Sequence, residues 1–363
     1  MNTCSSLYVH VPFCGEKCDY CDFFSVSLPE QNLVINYSKG IEDELAKYSH
    51  LLGGIKTVFI GGGTPTILSI SQLSRLLQAL TNADSMPISE FTIEANPESL
   101  TIDKIKTLSS LGINRISFGI QSFNEKIRKT IGRKGTLSNL SDKIDTLLKY
   151  NISNINFDMI YGIPGQTIKD LEQDLLELKK YPIKHLSAYS LTIEEGTPLY
   201  SRIETNKIDP DMQADMWDYI GTFLSDNMNI HRYEISNHAV TGYECRHNLD
   251  FWQGSDYLGI GPAAVSRLGL TRFQNSRSTK NWLQENHITE TLSEESLHRE
   301  ILILGLRTMA GIDLSKLSFN PFTLCQKELE ALKAQGLIEY NNSTIFPTPK
   351  GLKFADTTAS TLI

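Results

Sequence analysis

Six short runs rich in β-branched and aromatic residues recur through the first half of the chain: Leu7 to Val11, Thr57 to Ile60, Glu90 to Ala95, Arg115 to Ile120, Asn154 to Tyr161 and His185 to Leu191. Between them the apolar positions change period. Ile41, Leu45 and Tyr48, like Leu171, Leu175 and Leu178, recur at the spacing that lines one face of a helix. This alternation predicts an α/β fold with a parallel sheet, because each parallel return needs a crossover long enough to hold a helix.

Nearly every predicted strand runs into a segment of unusual chemistry: a cysteine loop, Gly61-Gly62-Gly63-Thr64-Pro65, Glu94-Ala95-Asn96-Pro97, Gln121-Ser122, and Asp158 followed by Tyr161-Gly162-Ile163-Pro164-Gly165. Parallel barrels build ligand sites from the C-terminal ends of their strands, so these ends converge on one candidate site.

After about Pro198 the alternation stops. A helix is expected near Asp211 to Ser225, then an aromatic and His-rich segment from Tyr233 to Trp252, then a Gly-Pro turn at Gly259-Ile260-Gly261-Pro262. Two further helices, Glu294 to Met309 and Phe322 to Ala334, precede a short hairpin around Asn341-Asn342 and a final Thr348-Pro349-Lys350-Gly351, the order of a winged helix. The expected division is residues 1–198 as the barrel-like part, 199–290 as a linking region and 291–363 as the winged-helix-like end, giving the C-terminal portion an α+β character.

Charge narrows the partners. The 363 residues carry 34 Lys and Arg against 42 Asp and Glu, a formal net charge of -8, which argues against a nucleic-acid backbone as the main partner. From Gly311 onward five Lys meet five Asp or Glu, so the winged-helix-like end shows no basic face and reads as a structural or docking domain. No run reaches the ~18 apolar residues of a membrane span, which leaves only peripheral membrane association open. Met1 to Ser6 is polar, and His10 and Pro12 break the apolar stretch that follows, so no secretory segment is evident. A cytoplasmic protein with reduced thiols is expected.

Three of the six cysteines, Cys14, Cys18 and Cys21, stand at C-x3-C-x2-C spacing in VPFCGEKCDYC. Three thiolates on a cubane iron-sulfur cluster leave one iron open to an exogenous ligand. Zinc is the alternative, with His10 as a fourth ligand, since Cys4, Cys245 and Cys325 are isolated from the loop.

The cysteine loop and GGGTP, with IEANPES at Ile93 to Ser99, GIQSF at Gly119 to Phe123 and DMIYGIPGQT at Asp158 to Thr167, together resemble the radical S-adenosylmethionine superfamily, in its coproporphyrinogen dehydrogenase-like branch. The resemblance spans nearly the whole chain. It implies a partial parallel (β/α)6 TIM-like barrel, a 4Fe-4S cluster on Cys14, Cys18 and Cys21, and S-adenosylmethionine chelated at the open iron and split by one electron. Gly61, Gly62 and Gly63 would let the backbone approach the methionyl amine, and Thr64 would add a hydroxyl. Glu94, Gln121, Arg133 and Asp158 would contact the amine, ribose or carboxylate. Tyr8, by the same resemblance, lies near cluster and ligand.

Within that branch two features separate the possibilities. Oxygen-independent coproporphyrinogen III oxidases carry a fourth cysteine where Phe23 stands, and a longer arm ahead of the first strand, whereas seven residues precede Tyr8 here. The segment from Tyr243 to Trp252, with His247, Asn248, Phe251 and Trp252, instead resembles the H-N-x-x-Y-W segment of the HemW family of haem chaperones. That resemblance implies haem bound through His247 with aromatic rings on the porphyrin face, and haem handed to an acceptor protein. Two departures stand out. Phe251 replaces a tyrosine, and Val265 stands where relatives usually have histidine, so Cys245 and His238 are alternative iron ligands. The remaining alternatives are the oxidase itself, a radical-based haem-degrading enzyme and a zinc-stabilised scaffold.

Overall fold

The computed structural model describes residues 4–27, 30–83, 88–202 and 208–363. Six parallel strands, β1 (Ser6–Val11), β2 (Thr57–Gly62), β3 (Glu90–Ala95), β4 (Arg115–Gln121), β5 (Asn154–Tyr161) and β6 (His185–Ser190), lie side by side in chain order. Each agrees within two residues with a predicted run. The crossovers carry helices α1 (Gln31–Lys47), α2 (Ile70–Ala83), α3 (Ile102–Ser110), α4 (Glu125–Thr130), α5 (Leu140–Lys149) and α6 (Ile168–Leu178).

Local sequence sets these elements. Thr101 caps α3 by accepting from the Lys104 amide, and Thr167 and Asp170 form a reciprocal capping box at the start of α6. Leu171, Leu175 and Leu178 are buried on the inner face of α6, as Ile41 and Leu45 are on α1. Each such side chain contributes about 1.5–3 kcal/mol by leaving water. Tyr48 falls just past the end of α1 and is only partly buried.

The later chain extends the same sheet at both edges. β7 (His231–Arg232) and β8 (Asn237–Ala239) pair antiparallel beyond β6. On the other side β9 (Tyr257–Ile260) lies parallel to β1, with Ser6 opposite Tyr257, and β10 (Val265–Leu268), β11 (Thr271–Asn275) and β12 (His287–Thr291) follow antiparallel. The expected turn at Gly259 is therefore partly strand. Four residues are too few to show a period, and what holds them is pairing with β1, 251 positions away in sequence. The twelve-stranded sheet is open, with β12 and β7 at its two edges.

A second core gathers Leu302, Leu306, Ile312, Leu329, Leu332, Ile338 and Ile345, with Cys325 buried among them as an apolar residue. Helices Glu294–Gly305 and Pro321–Ala334 and a three-stranded sheet of Ile312–Asp313, Thr344–Pro347 and Ile338–Tyr340 enclose it, the arrangement expected of a winged helix. No described helix is long and apolar enough to cross a membrane.

Candidate cofactor pocket and adjoining aromatic cavity

The C-terminal ends of the parallel strands open on a cavity of about 370 Å³. Cys14, Cys18 and Cys21 line one side, and Gly62, Gly63, Thr64, Glu94, Gln121, Arg133 and Asp158 line the rest. Ten of the twelve predicted site residues thus meet in one place. The cysteine loop is fastened there by backbone: the Asp19 amide donates to the Ile131 carbonyl at 3.2 Å, and the Leu199 amide donates to the Asp19 carbonyl at 2.9 Å. Tyr20 beside it packs on Ile127, Ile131, Ile160, Ile163, Leu191 and Leu199.

The glycine loop permits close approach in two ways. At Gly61 a Cβ would sit 2.9 Å from the Glu94 carboxyl. Gly62 has φ of 105°, and a Cβ there would strike the His10 ring at 2.6 Å. The Gly62 amide donates to Glu94 Oε2 at 3.1 Å. Burial first, and then Asp158 nearby, push the Glu94 carboxyl up to about 8. Burial likewise raises Asp158, against the hydroxyl of Ser117 at 2.7 Å and the amide of Asn156 at 2.9 Å.

Gln121 ends β4 with φ of 69°, where the register against β5 shifts between Gly119 and Gln121. That irregularity turns the side chain into the pocket. Arg133 arrives from the turn after α4. Its Nη2 donates to Asn96 Oδ1 at 2.6 Å and to the Gly119 carbonyl at 2.9 Å, and its Nη1 reaches Cys18 Sγ at 3.6 Å. Asn96 Nδ2 in turn donates to Thr64 Oγ1 at 3.0 Å, so Asn96 joins two predicted residues that lie far apart in sequence. Burial, with Cys14 and Cys18 close by, pushes the Cys21 thiol up to about 11, so metal binding there would release a proton.

Donors of this kind fit a cluster with one open iron: three thiols, a guanidinium against one of them, and carboxyl groups across the pocket for an ammonium. Among the described residues no three His, Cys, Asp or Glu side chains stand close enough to share one ion. His10, the alternative zinc ligand, has both ring nitrogens engaged. Nε2 lies 2.8 Å from the Phe24 carbonyl and must donate to it, so Nδ1 accepts from the Tyr8 hydroxyl at 3.0 Å.

Tyr8 itself lines a second cavity, of about 580 Å³, together with His247. Phe24, Phe59, Phe251, Trp252 and Tyr257 give this cavity aromatic walls, and Arg277 stands among its lining residues. Phe23 lines both cavities and is 61% exposed. The Phe251 ring lies 5.0 Å from Trp252 and 4.9 Å from Tyr257, and His247 lies 5.4 Å from Phe59, centroid to centroid. Burial, then Arg115, lower the His247 imidazole to about 4, so it is neutral at physiological pH. Val265, at the position where histidine is usual in the resembling family, also faces this cavity. Cys245 and His238 line neither cavity. Cys245 is fully buried with its thiol 3.5 Å from Glu90, and His238 accepts from Arg232 Nε at 3.1 Å.

Helix Arg246–Trp252, which carries His247, has no capping side chain of its own. Glu90, at the start of β3, supplies the cap instead, accepting from the Arg246 amide at 2.9 Å and the His247 amide at 3.0 Å. A buried chain also ties the segment to the first pocket. Asn156 donates to Asp158, His185 Nδ1 lies 2.6 Å from Asn156 Oδ1, its Nε2 lies 2.8 Å from the Tyr233 hydroxyl, and that oxygen accepts from the Cys245 amide at 3.2 Å. Sequence reasoning missed Asn96, Asn156, His185 and Glu90. Glu90 and His185 start strands, and only their inward, buried polar placement marks them.

A radical SAM superfamily model matches residues 8–178, and a HemN C-terminal domain model matches residues 292–354. Over 366 residues the chain is 34% identical to heme chaperone HemW of Lactococcus lactis subsp. lactis, covering 97% of this chain and 95% of that protein. It is 33% identical to heme chaperone HemW of Bacillus subtilis, covering 95% and 96%. The mitochondrial radical S-adenosyl methionine domain-containing protein 1 of Mus musculus is 32% identical, covering 100% of this chain and 88% of that one. Among solved structures, coproporphyrinogen III oxidase (HemN) from Escherichia coli, a radical SAM enzyme, superposes with a TM-score of 0.85 at 23% identity, covering 99% and 90%. That likeness shows a common fold.

Proposed function

Because the chain belongs to the HemW family of the radical S-adenosylmethionine superfamily, we propose that it is a cytoplasmic haem chaperone that binds a 4Fe-4S cluster, S-adenosylmethionine and haem, and delivers haem to an acceptor protein. The observation that carries this reading is the pairing of two cavities across Phe23, one thiol-lined and polar, the other aromatic with His247 in its wall.

In the first cavity Cys14, Cys18 and Cys21 would hold the cluster, whose chemistry when loaded is one-electron transfer to a bound sulfonium. The protein's own part there is orientation. Glu94 and Asp158 would meet the ligand's cationic groups, Arg133 and Asn96 brace Cys18 and Thr64, and Gln121 would offer an amide. In the second cavity flat aromatic walls suit a porphyrin face, His247 offers a neutral imidazole, and Arg277 offers a cation to a propionate.

An anaerobic haem titration of the reconstituted protein tests the reading. A Soret band saturating near one haem per chain, and much weaker in His247→Ala, is expected. An identical band in that variant would move the haem site elsewhere. Zinc without iron or sulfide on metal analysis would select the scaffold instead.

A further inference from the structure

His247 Nδ1 lies 3.0 Å from Thr57 Oγ1, Thr57 Oγ1 lies 3.0 Å from Ser6 Oγ, and Ser6 Oγ lies 3.0 Å from Asp250 Oδ2. The direction of every hydrogen in this row is fixed from one end. The Asp250 carboxylate only accepts, and the Ser5 hydroxyl is also aimed at the same oxygen at 3.5 Å. Ser6 therefore gives its single hydrogen to Asp250. Thr57 must give its own to Ser6, and the Thr57 oxygen is left to accept from His247 Nδ1–H. Thr57 and Ser6 are both buried, at 1% exposure each, so water does not substitute for a missing partner.

We infer that Asp250, Ser6 and Thr57 form a polarised hydrogen-bond row that sets the tautomer of His247, placing its proton on Nδ1 and leaving the Nε2 lone pair for the ligand of the aromatic cavity. Among the described residues no group bonds Nε2, and His247 lines that cavity. The row comes from three places in the chain: Ser6 on β1, Thr57 on β2, and Asp250 on the His247 helix itself, one turn further along. A metal-binding imidazole whose other nitrogen donates to a fixed acceptor is a better-oriented and more basic ligand. These three are positioning residues. Their role deepens the proposed haem reading and rests on it for the identity of the ligand, but the tautomer belongs to the protein alone.

Two readouts keep the inference separate from the haem reading. In the protein without haem, long-range nitrogen-proton NMR of labelled histidine is expected to show His247 as the Nδ1–H tautomer near pH 7.5, and as the Nε2–H tautomer in Thr57→Val, which has the same shape but no acceptor. Wild-type Nε2–H, or a tautomer unmoved by Thr57→Val in a protein whose unfolding temperature is unchanged, overturns the row. With haem, Thr57→Val is expected to weaken binding about 10- to 100-fold, the range for loss of a ligand's supporting partner, with an altered Soret position; Ser6→Ala, which frees Thr57 to donate either way, is expected to lose less. Loss of the band in His247→Ala with wild-type affinity in Thr57→Val sinks the row alone. An unchanged band in His247→Ala sinks the haem assignment, while the tautomer result still decides the row.

Discussion

Glu90 Oε1 accepts the backbone N–H of His247 at 3.0 Å, so a carboxylate on the third strand of the sheet caps the short helix of the aromatic cavity. The same carboxylate takes the Arg246 amide, and Arg115 lies close by in the same buried region. Glu90→Ala leaves two helix amides without a partner, and a cost of about 2–4 kcal/mol is expected. Glu90→Gln keeps one acceptor and should cost about half as much. Urea unfolding measures both, and a Glu90→Ala variant as stable as the wild type would show that water replaces the cap.

Arg133 holds Asn96, Gly119 and Cys18 together with one planar group. Arg133→Met is expected to weaken S-adenosylmethionine binding at least tenfold in reconstituted protein, by calorimetry. Arg133→Lys should recover little, because an ammonium cannot form the same fork. Full recovery by Lys would reduce the role of Arg133 to charge alone.

Glu94 gives the pocket a pH dependence. Its carboxyl is raised from 4.5 to about 8, so the fold favours the protonated form. Its contribution to stability is fully present below about 4.5 and is lost as the pH rises through about 8. Asp158, also raised, acts in the same direction. The unfolding temperature of the protein without cofactors is expected to fall between pH 5 and pH 8 in the wild type, and to fall less in Glu94→Gln. A cationic ligand prefers the carboxylate, so S-adenosylmethionine affinity should rise across the same interval in the wild type and rise less in Glu94→Gln, where Asp158 alone remains. Parallel slopes in the two proteins would contradict this.

Val265 faces the aromatic cavity where the resembling family usually has histidine. Val265→His introduces a second imidazole there, and a shifted Soret band with tighter haem binding is expected. If the titration is unchanged, position 265 does not reach the bound group.

Much of this was legible in the sequence. The six parallel strands announce themselves because each is long enough to show its pattern between helical segments, and the pocket follows from their common ends. The short strands at the sheet edges are not legible, since two to five residues such as Tyr257–Ile260 take their conformation from a distant partner. Residues carried by a motif meet in one pocket, as their shared strand ends imply; those that reach across it, such as Asn96, carry no motif of their own. Asn96 reads as the end of a strand until Thr64 and Arg133 are seen on either side of it. Tyr8, set by resemblance beside cluster and ligand, has its hydroxyl bonded to His10 and its ring in the wall of the aromatic cavity, while burial, then Glu94 of the first pocket, raise its phenol.

Carriage and conversion differ in what happens to the tetrapyrrole. Reconstituted protein, incubated without oxygen with haem, coproporphyrinogen, S-adenosylmethionine and reductant, then resolved by chromatography, should return haem intact and protein-bound and coproporphyrinogen unconverted. Formation of protoporphyrinogen, or loss of the haem during incubation, would contradict a chaperone and make the protein an enzyme of the tetrapyrrole.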